Sequence, residues 1–486
     1  MENYDLIIIG GGAGAFATAI KANELGAKTL MVNNGLPLGG TCVNVGCVPS
    51  KTLLWAGEVM HQAKHHGIPG IDIEIKNFDF QKVVEDELDL VERLRKEKYE
   101  KVLKHLEHVK FIDGKATFVS PNEIEVNPST SSGETVQKLS AKKFLIAAGS
   151  TATVPQIESI REVGFLTHIE ALKVKKQPKE LIVIGAGAVG LEFAQMYARF
   201  GTKVTILHRG SSIFRGEEEL ITRLAEILTN EGIAIKTSVQ VKSARKEGGK
   251  KVVSYIIDGK KEEVSGDEIL LATGKTPNTQ GLNLDKVGIE IDPSTHSASS
   301  GQAGTGQAIK VNPEFQTSQP HIFAVGDVTN APLRLEPTAG RESTLAAENA
   351  LKCTQNSIDY NSVPWTIFTD PQLAGVGLSE EQVIKQFGSC LCRTVSFEDV
   401  PKALIIKRTE GLIKIVIHEE TKVILGVQIL APHAGDLIAQ AMTLIKNKNT
   451  IDDVVNSLPM FPTLSESIKI AALSFTKDIS KLSCCI

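Results

Sequence analysis

Two cysteines, Cys42 and Cys47, lie five positions apart in the segment GGTCVNVGCVPSK. Neighbouring thiols can exchange electrons by forming and breaking a disulfide, or they can bind a soft metal ion. Five positions along an undistorted helix rise about 7.5 Å, whereas a disulfide needs Cα atoms within roughly 4.4 to 6.8 Å. The segment must therefore bend if the two cysteines pair, and Gly46 and Pro49 make a bend feasible. A position near a helix N-terminus and the charge of Lys51 would both favour a thiolate.

The other five cysteines lie far from this segment. The chain ends in Ser483, Cys484, Cys485 and Ile486. Adjacent cysteines form a strained ring when oxidised, so two thiols side by side at a chain end suit a thiophilic ion better; an incidental or lipidated tail is the alternative. Cys390 and Cys392 alternate in a predicted strand and could bind metal, but we expect them, like Cys353, to be structural.

A short strand, a glycine-rich turn and a helix are predicted at the start of the chain. Residues 4–9 are apolar and largely β-branched, and they are followed by a turn that contains Gly10, Gly12, Gly14 and Ala15. In the spacing G-x-G-x-x-G/A the first glycine permits a tight turn and the second lets a pyrophosphate approach the backbone. The small third residue lets helix and strand pack closely. This pattern predicts a dinucleotide site.

A second copy of the pattern follows about 175 residues later. The strand Leu181–Ile184 leads into Gly185, Gly187 and Gly190, again before an alanine-rich helix. One such motif is weak evidence, because a glycine turn after a strand is common. Two copies, each between a strand and a helix, indicate two separate dinucleotide sites.

The strand after the second motif bears on which nicotinamide cofactor is used. It ends in His208 and Arg209, and Arg215 follows six residues later. An NADH site usually has an acidic residue here for the ribose hydroxyls, whereas cationic groups suit the 2′-phosphate of NADPH. We therefore favour NADPH, with NADH as the alternative because surface arginines are common.

Length and composition exclude several classes of protein. The chain has 486 residues, 42% hydrophobic and 23% charged, which is typical of a globular protein of about three domains. The net charge of −4 provides no positive field for nucleic acid or anionic lipid. No apolar run approaches the roughly 18 residues of a membrane span, and the N-terminus is acidic. We expect a cytoplasmic protein that acts on small molecules, without membrane insertion.

The remaining pattern outlines the other elements. Residues 76–110 show the apolar periodicity of a long amphipathic helix that includes Val109. Residues 127–134 and 293–307 are rich in serine and glycine and predict loops. Strands at 411–417 and 423–430 and helices at 436–446 and 464–475 predict a C-terminal α+β unit.

The segment around Cys42 and Cys47 resembles the redox-active segment of the flavin-dependent pyridine nucleotide-disulfide oxidoreductases, above all their mercury-reducing branch. The resemblance covers essentially the whole chain. It implies that Cys47 lies against the flavin of FAD and that Cys42 is the outer thiol that meets substrate. It also implies that Glu192 pairs with Lys51 near the reactive face of the flavin. The positions it implies for binding FAD and the nicotinamide cofactor, beyond the glycine motifs, are Asn33, Gly40, Thr41, Lys51, Ala148, Gly149, Gly274, Gly326 and Asp327.

Two segments near the C-terminus carry the resemblance further. The tail with Cys484 and Cys485 is similar to that of the mercury-reducing branch, in which the tail of one subunit delivers Hg(II) to the redox pair of the other, and this implies a homodimer. Disulfide reductases have a His before Pro-Thr-x-Ser-Glu as a proton shuttle, but here Phe461 occupies that position. Two positions depart from the pattern: Thr463 stands where that branch commonly has Tyr, and Asn33 where the family commonly has Glu.

These observations predict an α/β fold with two Rossmann-like units and a C-terminal α+β dimerisation domain. The expected boundaries are 1–150 and 276–355 for the FAD-binding parts, 151–275 for the NAD(P)H-binding domain and 356–486 for the dimerisation domain. The expected reaction is reduction of Hg(II), arriving as thiol complexes, to Hg(0) by NADPH through FAD, with the ion held by the thiols of Cys42, Cys47, Cys484 and Cys485. A dihydrolipoamide- or glutathione-type disulfide reductase is the nearest alternative. A non-enzymatic thiol protein that sequesters metal is an alternative of another class.

Overall fold

The computed structural model of the chain describes residues 2–129, 135–293 and 307–483. The first stretch folds around a parallel sheet, with helices against it and a short π-helical turn, Lys96–Glu100, between the last two helices. The elements in chain order are β1 (Asn3–Ile9), α1 (Ala13–Glu24), β2 (Thr29–Asn33), α2 (Gly40–Val45), α3 (Cys47–His65), α4 (Phe80–Arg95), α5 (Lys101–Lys104), β3 (Val109–Ser120), β4 (Glu123–Pro128) and β5 (Gln137–Ile146).

Strand β1 is the centre of this sheet. It pairs in parallel with β2 on one side and β5 on the other, and β2 pairs in parallel with β3. Leu6, Ile7 and Ile8 are fully buried because helices cover one face and the far ends of β3, β4 and β5 cover the other. Those ends form an antiparallel meander. The carboxyl end of β1 thus meets the first glycine turn at the sheet edge where ligands bind in such folds.

The second stretch forms another parallel sheet with an antiparallel three-stranded sheet beside it. Its elements are β6 (Ser150–Ala152), α6 (Ile160–Val163), α7 (His168–Ala171), β7 (Glu180–Ile184), α8 (Ala188–Arg199), β8 (Lys203–Leu207), α9 (Glu218–Asn230), β9 (Ala234–Lys236), β10 (Gln240–Glu247), β11 (Lys250–Ile257), β12 (Lys260–Gly266), β13 (Glu268–Leu271) and β14 (Lys275–Pro277). The parallel sheet has the order β13-β7-β8-β9, and β10, β11 and β12 form the antiparallel sheet.

The chain then returns to the first sheet. Strands β6 and β14 pair antiparallel, so the entry to the second unit and the exit from it lie side by side. The next elements are β15 (Ile291–Asp292), β16 (Ala308–Ile309), β17 (Ile322–Ala324) and α10 (Glu336–Lys352), with short 3-10 helices at Asp285–Val287 and Gly326–Val328. Strand β17 pairs in parallel with β5, and α10 packs against α1. The first sheet is therefore built from residues on both sides of the second unit.

The C-terminal stretch is an antiparallel sheet with helices packed on it. The elements are β18 (Trp365–Ile367), β19 (Gln372–Gly377), α11 (Glu380–Phe387), β20 (Leu391–Ser396), α12 (Pro401–Ile405), β21 (Leu412–Ile417), β22 (Ile424–Ala431), α13 (Ala434–Lys446), α14 (Ile451–Val455) and α15 (Glu466–Leu473). The sheet has the order β18-β19-β22-β21-β20, and 3-10 turns lie at Tyr360–Ser362, Phe397–Asp399 and Ile479–Lys481. Its apolar core packs helices α13 and α15 against the sheet.

The predicted α/β architecture, with two dinucleotide folds followed by an α+β unit, is confirmed. The long amphipathic helix predicted over 76–110 is confirmed from Phe80 to Lys104. The prediction was wrong at both ends, because 76–79 precede α4, Leu106 follows α5 and Val109 begins β3. There the backbone pairs with Thr29 of β2, and this long-range pairing overrides the helical periodicity. The predicted loops at 127–134 and 293–307 lie largely outside the described residues. Within the described part of the chain, no helix combines the length and apolarity needed to cross a membrane.

Candidate functional site

The two cysteines lie where one helix ends and the next begins. Helix α2 contains Cys42, helix α3 starts at Cys47, and Gly46 separates them with φ −137° and ψ −109°. A Cβ at Gly46 would lie 2.8 Å from the carbonyl oxygen of Thr41, so the close turn leaves no room for a side chain. The predicted bend is present, and it brings the two thiols into hydrogen-bond contact as free cysteines.

The two thiols differ in acidity. The hydrogen bond from Cys42, followed by the nearby charge of Lys51, lowers the pKa of Cys47 to about 7 even though burial opposes ionisation. The pKa of Cys42 is raised, because its thiol donates to Cys47 and is itself buried. Cys47 also begins α3, where the unpaired N–H groups favour an anion. The first proton to leave the pair therefore comes from Cys47.

An ion pair joins the first two units beside the thiols. The Nζ of Lys51 donates to Oε2 of Glu192 at 2.8 Å, and the carboxylate is almost completely buried in α8. The backbone N–H of Phe368 donates to Oε1 of Glu192 at 2.9 Å, and Lys51 lies over the Phe368 ring at 4.5 Å. Both carboxylate oxygens have a donor, which keeps a buried anion acceptable. The structure thus brings together the two residues that the sequence predicted to pair.

The first glycine motif forms a cradle without room for side chains. Gly12 caps α1, and a Cβ on Gly40 would lie 2.6 Å from the Gly12 Cα. Gly10 has φ +139° and packs on the carbonyl of Ala147. Asn33 ends β2, lies over Gly11 and donates to the Leu36 carbonyl at 2.9 Å. Such close backbone approach, at a helix N-terminus, fits the pyrophosphate and ribose of FAD.

The residues around this cradle are brought together from distant parts of the chain. Asp327 lies in a 3-10 turn and accepts a hydrogen bond from Ser150 Oγ at 2.6 Å. Asn278 donates from its side chain to the Ala148 carbonyl and from its backbone to the Gly149 carbonyl, each at 2.9 Å. The segment 148–150 thus contacts both Asn278 and Asp327, beside the strand pair β6 and β14. The other residues predicted for this site lie on the same elements: Gly14 and Ala15 in α1, Thr41 in α2 and Gly326 in the 3-10 turn of Asp327.

The second glycine motif repeats this arrangement. Gly185 has φ +110° and packs on the carbonyl of Ala272, while Gly187 caps α8. A Cβ on Gly190 would collide with the carbonyl of Gly185. Gly274, at φ +106°, accepts a hydrogen bond from the Thr153 N–H. The cradle fits a second dinucleotide, as predicted from the sequence.

The segment that follows strand β8, beside this cradle, contains the three predicted basic residues. Nδ1 of His208 accepts the Ala186 N–H at 3.1 Å, and burial followed by the charge of Arg209 lowers the pKa of His208. The ring is therefore neutral at pH 7 and contributes no charge. Arg209 and Arg215 are exposed, which leaves both guanidinium groups accessible to a phosphate.

The sequence did not predict several residues close to the thiols and to Asp327. Glu336, the first residue of α10, and Tyr99 both lie within electrostatic range of Cys42. An acidic residue followed by a proline is typical of the start of a helix, so Glu336 before Pro337 could have been recognised as a helix N-terminus from the sequence. Buried Glu342 accepts the Gly326 N–H at 2.7 Å and so holds the turn of Asp327; no local signal distinguishes it from other helical residues.

The C-terminal candidates are only partly described. Cys484 and Cys485 lie outside the described residues. Phe461 is 45% exposed, beside the exposed side chains of Leu458 and Met460. Oε2 of Glu466 accepts the backbone N–H of Thr463 at 2.9 Å, so the carboxylate caps its own turn. Within the described ranges, no group of three or more His, Cys, Asp or Glu side chains is arranged to bind one metal ion.

Comparison with known proteins gives consistent results. Residues 4–352 match the family model "Pyridine nucleotide-disulphide oxidoreductase", and residues 363–472 match the dimerisation domain of the same family. The mercuric reductase of Lysinibacillus sphaericus is 37% identical over the whole chain and 85% of its own length. That of Streptomyces lividans is 37% identical over 99% of this chain and 98% of its own.

Two other similar proteins are named for different activities. The mitochondrial dihydrolipoyl dehydrogenase 1 of Arabidopsis thaliana is 34% identical over 97% of this chain and 90% of its own length. The Cu(II) complex of the HOCl-induced flavoprotein disulfide reductase RclA from Escherichia coli has a TM-score of 0.84 at 25% identity, covering 98% of this chain and all of that one.

These matches agree with the expectations drawn from the redox segment and the two cradles. FAD and NADPH serve flavoproteins of this kind, as predicted. The matched dimerisation domain supports the expected homodimer. With a redox cysteine pair, two dinucleotide cradles and family models that span most of its length, the chain belongs to the pyridine nucleotide-disulphide oxidoreductases.

Proposed function

We propose that the chain reduces Hg(II) to Hg(0), with NADPH as the electron donor and FAD as the carrier. The observation that carries this proposal is Phe461, which occupies the position where disulfide reductases have a proton-transferring His. Its ring cannot donate a proton, and Glu466 is engaged with the Thr463 N–H instead of orienting a base. A disulfide substrate gains from an acid at its leaving thiol, whereas Hg(II) needs only two electrons. The mercuric reductases among the relatives support the same conclusion.

The cofactors would lie in the two cradles. Gly10, Gly12, Gly40, Asn33 and Asp327 would hold FAD, which when bound relays two electrons from the nicotinamide to the thiols. The remaining positions proposed for FAD are Gly14, Ala15, Thr41, Lys51, Ala148, Gly149 and Gly326, and those for the nicotinamide cofactor are Gly185, Gly187, Gly190, Gly274, Arg209 and Arg215.

Each residue at the redox thiols would have a separate role. Cys47, the more acidic thiol, would stay ionised against the flavin, while Cys42 would bind the incoming ion. Hg(II) would displace the proton of Cys42 and be held between the sulfurs of Cys42 and Cys47. Lys51 keeps positive charge beside the thiolate, and Glu192 holds Lys51 in place. The ion takes two electrons and leaves as an uncharged atom, so no proton donor is required at departure.

Cys484 and Cys485 would carry Hg(II) from external thiols to Cys42 and Cys47 of the partner subunit. Exposed Phe461 and Met460 lie on a surface of the dimerisation domain that could face that partner. The tail is proposed from its resemblance to the mercury-reducing branch.

The decisive experiment compares substrates with the purified flavoprotein. We expect Hg(II)-dependent oxidation of NADPH and weak turnover of glutathione disulfide and lipoamide. The variant Phe461→His should raise disulfide reduction, whereas Phe475→His, in the same domain, serves as a control that should not. Efficient disulfide reduction by the unmodified protein, without mercury-dependent NADPH oxidation, would establish the disulfide reductase that the dihydrolipoyl dehydrogenase relative represents. Binding of mercury without any turnover would favour the metal-sequestering alternative.

A further inference from the structure

A second pair of thiols lies in the C-terminal sheet, away from the redox pair. Cys392 is the second residue of the edge strand β20, and Cys390 lies directly before that strand. Alternate residues of a strand point to the same face, and Val395 on the opposite face is in the apolar core. Cys392 therefore faces outward from the core, and Cys390 lies within electrostatic range of Cys392, Glu380 and Lys414. Both are half-buried free cysteines.

Polar groups surround this face of the sheet. Cys392 is paired with Val416 of β21, two residues from Lys414, and its thiol donates to Glu380 of α11. Lys414 is 2% exposed, and its Nζ donates to Glu380 at 2.7 Å. A groove of about 880 Å³ between α9, α11 and β21 is lined by this lysine and by carboxylates at Glu217, Glu218, Glu219, Glu226, Glu380 and Glu381. Through its hydrogen bond to Glu380, Cys392 thus adjoins an open groove with charged and apolar side chains, which an ion from solvent can reach.

We propose that Cys390 and Cys392 form a separate binding site for one thiophilic metal ion such as Hg(II) or Ag(I), held by two thiolates. Soft thiolates select such ions, and these ions accept two sulfur ligands in a linear arrangement. With one residue between them, Cys390 and Cys392 are close enough for their two sulfurs to lie on either side of a single ion. On binding, two S–H bonds break and two metal–sulfur bonds form, so two protons leave for each ion and no electrons are transferred.

The neighbouring groups keep both thiols protonated until a metal ion binds. Burial, followed by the hydrogen bond that Glu380 accepts, raises the pKa of Cys392, and the cation of Lys414 opposes both effects. Burial also raises the pKa of Cys390, so the metal ion must displace a proton from each thiol. The site uses no residue of the proposed reaction and needs neither cofactor. Metal binding at Cys390 and Cys392 can therefore be tested independently of mercury reduction.

The test uses the full chain with Cys42, Cys47, Cys484 and Cys485 all changed to Ser, which leaves Cys353, Cys390 and Cys392. Titration with HgCl₂ should block two thiols and release two protons for the first equivalent, as followed by thiol reagent and by pH-stat. Either Cys390→Ser or Cys392→Ser in that background should remove this two-thiol step. Competition with glutathione should then show Hg(II) binding weakened on the order of 10²-fold or more, because the second thiol supplies a high effective concentration.

Exposed Cys353 provides the matched control, because Cys353→Ser should leave the two-thiol step unchanged. Circular dichroism on every variant confirms that it is folded. The proposal is overturned if each thiol of the background protein binds its own Hg(II), or if the two-thiol step survives in Cys392→Ser and vanishes in Cys353→Ser.

Discussion

At the scale of single residues, the asymmetry of the two redox thiols comes from their neighbours. Cys47 receives the hydrogen bond of Cys42 and the field of Lys51, whereas burial and the carboxylates of Glu192 and Glu336 oppose its ionisation. Side chains of α2 and α3 thus lower the pKa of Cys47, and side chains of the distant helices α8 and α10 raise it. This balance can be tested one charge at a time.

The first prediction concerns the pKa of Cys47. In the reduced protein, alkylation of Cys47 should follow a titration with a midpoint near pH 7, rising with pH as the thiolate forms. Lys51→Met should raise that midpoint because a cation is lost, and Glu192→Gln should lower it because an anion is lost. Lys64→Met, at an exposed position of the same helix, is the control. Shifts of Lys51→Met and Glu192→Gln in the same direction would contradict this account.

The second prediction concerns the nicotinamide cofactor. If Arg209 and Arg215 hold a 2′-phosphate, changing both to Gln should cost on the order of 1.5 to 3 kcal/mol per lost bond for NADPH and little for NADH. The measurement is kcat/KM for both nucleotides. Exposed Arg161→Gln provides the control. An unchanged preference for NADPH would show that other groups recognise the phosphate.

At the scale of elements, the junction between α2 and α3 positions the thiols. Gly46 allows the second helix to restart at Cys47, and the carbonyl of Thr41 occupies the space that a side chain would need. The same helix has another glycine, Gly57, where an added Cβ would find only ordinary contacts of 3.5 Å or more. Substituting each glycine by alanine therefore distinguishes two effects: a steric clash, expected only at Gly46, and the gain in helix propensity, expected at Gly57.

The third prediction compares these glycines. Gly46→Ala should destabilise the protein by about 1 to 3 kcal/mol and reduce the rate at which Cys42 and Cys47 form a disulfide, because the backbone must shift. Gly57→Ala should be neutral or stabilising by up to about 1 kcal/mol, since Ala favours a helix interior over Gly. Denaturant unfolding and thiol oxidation rates measure both effects. Equal behaviour of the two variants would mean that the junction tolerates a side chain.

At the scale of the whole molecule, a buried charge network ties the second unit to the C-terminal sheet. Arg199 of α8 is 5% exposed and donates to Glu231 at 2.8 Å and to Asp370 at 2.9 Å. Arg408 donates to the other oxygen of Asp370. Every charge in this network has a partner, so removing one leaves another buried and uncompensated.

The fourth prediction follows from that network. Arg199→Met should destabilise the protein by about 3 to 5 kcal/mol, seen as a lower midpoint of thermal unfolding. The exposed pair of Lys310 and Glu290 provides the control, because Lys310→Met should cost less than about 1 kcal/mol. Similar effects of both variants would show that burial does not strengthen the network.

The fifth prediction concerns assembly. In the dimerisation domain, Leu458 is 94% exposed and Met460 is 76% exposed. A second copy of the chain would cover these apolar side chains. Leu458→Glu should shift the protein towards monomer in analytical ultracentrifugation. Val119→Glu, at an exposed apolar position of the first sheet, should not. A dimer unaffected by Leu458→Glu would place the interface elsewhere.

The sequence alone determined which residues have special backbone roles. Gly10, Gly185 and Gly46 stand out because turns and close approaches leave a local signature, and the strand and helix around each follow from short-range periodicity. The family resemblance added the pairing of Lys51 with Glu192. Phe461 was also readable from sequence, because its meaning depends on residue type at a fixed place in a motif.

Only the tertiary structure decided which distant side chains meet. It placed Val109 in a strand, made His208 a neutral acceptor, and put Glu336 near the redox thiols and Glu380 against Cys392. None of these has a local signal, because each depends on how separate sheets and helices pack. Local sequence sets the backbone conformation of a segment, but contacts across hundreds of residues arise from the burial of apolar faces against one another.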